Sequence, residues 1–134
     1  MVHYSPEEEV RQNLLENLVA RLGYPPSLIS VEIALSNLST SVPRSIGSHR
    51  VDIVCFVNTP HGAVPLLLIE CKRRKPSMMV LAQLYGYNNY LGCMAVAIAW
   101  PKMITIYANG SLLCQGPLLQ MPTYAQLCDL FSFA

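Results

Sequence analysis

Two apolar runs, at 51–57 and 64–71, constrain this chain more than any other feature. They are rich in Val, Ile and Leu, and a short segment at 58–63 containing Asn, Pro and Gly separates them. Apolar runs of that length read as strands buried on both faces, and the break between them reads as a hairpin turn. Such a hairpin needs other elements packed on each side of it. Three charges stand in or directly after the runs: Asp52, Glu70 and Lys72. A buried strand tolerates a charge only when the charge is paired or bound to a metal, so these three are the first candidates for a functional site.

Around the hairpin the pattern predicts an α/β arrangement. Ser5, Pro6 and Glu8 form the signature of a helix start, a capping box with Pro at the first helical position. Val10, Leu14, Leu15, Leu18 and Leu22 then follow at helical spacing until Gly23. A strand is predicted at 28–35 and a loop at 36–48. Beyond the hairpin come a helix at 78–91, strands at 94–100 and 104–107, and a short helix near 123–131. With no internal repeat and no linker, residues 1–134 read as one domain holding a mixed sheet with helices against it.

Composition narrows the function classes. Charged residues make up 13% and apolar ones 52%, which excludes a disordered chain. No apolar run approaches the roughly 18 residues that a membrane helix needs. Glu7, Glu8 and Glu9 stand where a secretory signal would be basic, so no membrane association and a cytoplasmic location are expected. Cys55, Cys71, Cys93, Cys114 and Cys128 lack metal-ligand spacing and read as reduced core residues. The net charge is +1, yet six of the nine Lys and Arg residues lie between 44 and 75. A local basic patch of this kind can attract phosphate.

Glu70 and Lys72 are two apart, so they project from one face of their strand while Cys71 points into the core. A turn centred on His61 places Asp52 across from Glu70, with Cβ atoms about 5 Å apart. Carboxylates that close repel unless a cation sits between them. With oxygen donors and no His or Cys beside them, that cation would be a hard one, magnesium or manganese. Lys72 would place a positive group beside the same point.

The segments "RVDIV" at 50–54 and "PLLLIECK" at 65–72 resemble the strand pair of the PD-(D/E)XK nuclease superfamily. With "PEEEVRQNLLENLVARLGYP" at 6–25 and "AQLYGYNNYL" at 82–91, the chain is similar to the N-terminal nuclease domain of type I restriction enzyme R subunits, over roughly 4–110. The resemblance implies a restriction-endonuclease-like fold, a central mixed sheet flanked by helices, and metal-dependent cleavage of nucleic acid, DNA in the first place. It implies Asp52 and Glu70 as metal ligands, the Cys71 carbonyl as a third ligand, and Lys72 as the catalytic lysine. Glu8 matches a first-helix acid that completes such sites, and Gln83 and Tyr87 match a Gln-x-x-x-Tyr motif near them. The helicase motor of the R subunit has no counterpart in these residues, so translocation is not carried over. Sequence choice and target recruitment are not carried over either; a homodimer or partner protein subunits are the expected assemblies.

Alternatives stay open at this point. The trio could be a structural ion cluster that fixes strand register, or the site of a catalytically silent nucleic-acid-binding or assembly module. Glu8 is also explained as a helix cap. Arg50, Arg73, Arg74 and Lys75 are placed to bind phosphates, but the run at 73–75 could equally be a solvated strand end.

Overall fold

The computed structural model describes residues 4–133. Helix α1, Pro6–Ala20, begins where Ser5 Oγ accepts the Glu8 N–H at 3.2 Å. The reciprocal bond from the Glu8 carboxylate is not formed among the described residues. The helix ends two residues before its apolar period does. Gly23, at φ +75°, turns the chain there, and the N–H groups of Leu22 and Tyr24 bond back to the carbonyls of Asn17 and Leu18.

Six strands form one sheet in chain order: β1 (Ile29–Ala34), β2 (Arg50–Thr59), β3 (Gly62–Cys71), β4 (Ala95–Trp100), β5 (Met103–Ala108) and β6 (Ser111–Pro117). All neighbours are antiparallel except β3 and β4, which are parallel. A parallel neighbour needs a crossover, and helix α4, Met78–Leu91, provides it. One face of the sheet carries Ile53, Leu67, Ile69 and Ala97, covered by Leu14 and Leu18 of α1 and by Leu127 of α5, Tyr124–Leu130. The other carries Val54, Leu68, Val96 and Ile98, covered by Leu81, Leu84 and Leu91 of α4. This is the expected α/β fold, a central mixed sheet flanked by helices. No helix among the described residues is long and apolar enough to cross a membrane.

Two stretches differ from the sequence expectation. Residues 36–48 are not a continuous loop. Two single helical turns, α2 (Leu35–Leu38) and α3 (Arg44–Gly47), stand on either side of Pro43. Their Leu35, Leu38 and Ile46 fold down onto the α4 face of the sheet, and that apolar contact holds the turns in place. Strand β6 was not among the expected strands, and Gly116 and Pro117 interrupt its pattern. It forms because Asn109 and Gly110, both at positive φ (+53° and +76°), make the tight turn that returns the chain beside β5.

The five cysteines are free thiols, and burial pushes those of Cys55, Cys71 and Cys93 up. Four of them are buried as small core residues, as expected, while Cys114 on β6 is half-buried.

Candidate active site

The β2–β3 hairpin brings the charged residues together through two offsetting irregularities. The turn is the two residues Pro60 and His61, with Thr59 paired to Gly62, one step tighter than a turn centred on His61. Between Cys55 and Phe56 the register then shifts by one, since Cys55 faces Leu67 while Phe56 faces Pro65. Leu66 is the extra residue of this bulge, and Pro65 tolerates the place because a bulge asks less of the ladder. Beyond the bulge Ile53 faces Ile69, the register that leads on to Asp52 and Glu70.

Asp52 sits where the strand alternation breaks. Val51 and Ile53, two apart, should share a face, yet Val51 belongs to the α4-side core and Ile53 to the α1-side core. Across from this point in β1, Val31 pairs with Ile53 and Ile33 with Val51. Glu32 between them has a left-handed φ of +49°. A non-glycine residue there costs on the order of 1–2 kcal/mol. The local rotation turns the Asp52 side chain into the gap between β2 and β3, where side chains replace the backbone ladder. Cys71 N–H donates to Asp52 Oδ2 at 2.9 Å, and Asp52 N–H donates to Glu70 Oε1 at 3.3 Å. On the helix side, Arg11 Nη1 donates to Asp52 Oδ1 at 3.3 Å and lies 3.3 Å from Glu32 Oε1.

Glu70 is 9% exposed. Burial, and then the negative charge of Asp52, push its carboxyl well above the usual carboxylate range, to about 7, against the opposing pull of Lys72. Burial and a neighbouring like charge both disfavour the ionised form. Lys72 also acts on His49, whose pKa is lowered by burial first and by Lys72 second. His49 stacks on Tyr87 with ring centroids 4.4 Å apart, and Tyr87 is close enough to feel the charge of Glu70. Asp52, Glu70, Lys72 and Tyr87 therefore share one neighbourhood at the end of the β2–β3 pair.

The remaining predicted residues are spread around it. Arg73, Arg74 and Lys75 are exposed and, with Lys72 and Glu7, line a cleft of about 310 Å³. Arg50 is exposed at the start of β2. Glu8 is half-buried and does not line that cleft; its neighbour Glu7 does. Gln83 is exposed on α4, one turn before Tyr87, and takes no part in the hydrogen bonds around Asp52 and Glu70.

Three residues of this neighbourhood were not singled out in the sequence. Arg11 carried a usable signal, because it falls three and seven residues before Leu14 and Leu18, on the apolar stripe of α1. Glu32 shows nothing in the sequence of its backbone conformation. His49 shows nothing of its stack on Tyr87.

No group of three or more His, Cys, Asp or Glu side chains converges in metal-binding geometry among the described residues. The donors present are two carboxylates at one strand end, with the backbone of Cys71 beside them. All are oxygen donors, and one of them is the buried Glu70 carboxylate. That set fits a hard divalent ion that keeps several waters of its own.

A family model for the type I restriction enzyme R protein N terminus (HSDR_N) matches residues 6–100, which span α1 to β4 and include every residue of this neighbourhood. No curated protein and no solved structure matches the chain.

Proposed function

The chain belongs to the type I restriction enzyme R protein N terminus family, and on that premise we propose that it is a metal-dependent nuclease hydrolysing phosphodiester bonds, in DNA first of all. Asp52 and Glu70 would hold a magnesium or manganese ion, with the Cys71 carbonyl as third protein ligand. The observation that carries this reading is the linkage of the two carboxylates across one strand end, Asp52 N–H to Glu70 and Cys71 N–H to Asp52. An ion bound there would polarise a phosphate oxygen and lower the pKa of a water.

The chain's own residues have distinct parts. The Cys71 N–H fixes the plane of the Asp52 carboxylate. Lys72, on the same strand face as Glu70, presents an ammonium to a phosphate oxygen or to the attacking water. Tyr87, braced by His49, closes the α4 side. Arg73, Arg74, Lys75 and Arg50 meet backbone phosphates, which positions the strand without reading its sequence. Glu8 and Gln83 would orient water or substrate. The reading implies DNA and the other subunits of a restriction enzyme as partners, in the cytoplasm.

One observation favours a second reading, a catalytically silent binding module. Both oxygens of Asp52 already accept hydrogen bonds from the protein. Cleavage assays separate the two. Duplex, single-stranded and branched DNA and RNA are incubated with magnesium or manganese and the wild-type chain, Asp52→Ala, Glu70→Ala or Lys72→Ala. The nuclease reading expects cutting by the wild type alone, with all variants folded. No cutting of any substrate by a metal-loaded wild type establishes the silent module.

A further inference from the structure

Arg11 is the least exposed charged residue described, at 7%. Both of its ion pairs fall on one nitrogen, Nη1, at 3.3 Å from Asp52 Oδ1 and 3.3 Å from Glu32 Oε1. Its buried Nε has no hydrogen-bond partner among the described residues. A guanidinium offers five N–H donors in a fixed fork, and its strong pairing with a carboxylate uses two short parallel bonds. Here a single nitrogen is stretched between two acids.

Glu32 reaches that nitrogen from the left-handed backbone described above. A residue keeps such a conformation only where its surroundings enforce it, and such positions cluster at functional sites. Its side chain is half exposed, at 51%, so its carboxylate has room to change partners. Asp52 lacks that room, with its other oxygen tied to the Cys71 N–H.

Taking Asp52 as a metal ligand, which rests on the function proposed above, we propose that Arg11 is the counterion of Asp52 in the cation-free protein. Glu32 is then the acid onto which Arg11 moves when Asp52 takes a divalent ion. A guanidinium one hydrogen bond from a carboxylate repels any cation arriving at that carboxylate. Arg11 has a spare donor and a second acid within reach, and its present contacts are long enough to exchange at little cost. Neither residue touches substrate. They are positioning residues that set how readily Asp52 accepts a cation, Arg11 by competing and Glu32 by drawing Arg11 away.

The two residues therefore act with opposite signs, which a purely structural role would not produce. Calcium affinity of the whole chain, measured by calorimetry, reads this without catalysis. Removing the competing charge in Arg11→Gln should tighten binding by about tenfold. Arg11→Lys keeps the charge and should stay near wild type. Glu32→Gln leaves Arg11 on Asp52 alone and should weaken binding several-fold. In an Arg11→Gln background the Glu32→Gln effect should shrink to within about twofold, because Glu32 acts through Arg11.

A folded Arg11→Gln that binds calcium more weakly overturns the proposal. So does an Arg11→Lys that binds as tightly as Arg11→Gln, or a Glu32→Gln loss of equal size in both backgrounds. If Arg11→Gln does not fold, Glu32→Gln decides alone, and wild-type affinity in that variant overturns the proposal. A wild type that binds no calcium removes the metal reading and this inference together. Wrong-signed variants of a calcium-binding wild type remove the inference only.

Discussion

Replacing Glu70 by Gln isolates the electrostatic cost of setting two carboxylates at one strand end. In the folded protein the Glu70 carboxyl is raised to about 7, first by burial and then by Asp52. In the unfolded chain it titrates near its ordinary 4.5. The folded state therefore holds the proton more tightly. Below about pH 4.5 both states are protonated and the group costs no stability. Between 4.5 and 7 the unfolded state ionises first, so stability falls as pH rises, and above 7 the loss is complete. At about 1.36 kcal/mol per pKa unit, the full loss is roughly 3 kcal/mol, of which under 1 kcal/mol is already present at pH 5. Gln has the shape of the protonated acid and can accept the Asp52 N–H without a charge. Glu70→Gln should thus stabilise the metal-free protein at pH 8 by about 2–3 kcal/mol more than it does at pH 5. Urea unfolding with a chelator present, for both proteins at both pH values, reads the difference. Saturating calcium should remove the advantage, because a ligand that binds only the folded wild type stabilises it alone. A Glu70→Gln gain that is equal at the two pH values, or a loss at pH 8, would mean that the Glu70 charge does not destabilise the metal-free fold.

Two further outcomes follow from other parts of the molecule. Replacing Arg73, Arg74 and Lys75 together by Ala should weaken binding to unrelated DNA sequences alike and flatten the log–log salt slope by about two to three units; an unchanged slope would make the run a solvated strand end. Gly110, at φ +76° with open space where a Cβ would stand, should lose about 1 kcal/mol on substitution by Ala from backbone conformation alone, measured by chemical denaturation, and no loss would argue against the tight β5–β6 turn.

The hairpin was legible because its signal is strong: two apolar runs, turn residues between them, and charges where burial forbids unpartnered ones. Its register was legible for a less direct reason. The turn is tighter than a turn centred on His61, and the bulge at Leu66 restores the lost step before the chain reaches Asp52. Pro65 was the available hint, since an interior strand seldom holds a proline except at a bulge. Strand β6 is hard to read because Gly116 and Pro117 break its pattern, although pairing with β5 tolerates both breakers at an outer strand. The neighbourhood of Asp52 was legible only along its own strands. Arg11 comes from 41 residues away, and Glu32 reaches it through a backbone angle that no residue pattern announces. Side-chain periodicity reports which face a residue is on. It does not report a strand that rotates between one residue and the next, as β2 does at Asp52.

The proposed nuclease depends on Asp52 and Glu70 holding a divalent cation at the end of the β2–β3 pair. Anomalous scattering from manganese-soaked crystals tests it most directly. One manganese peak is expected in contact with a carboxylate oxygen of each residue, and it should be lost from crystals of Asp52→Ala. Crystals soaked to saturation that show no peak at this pair, with Arg11 still seated on Asp52, would contradict it.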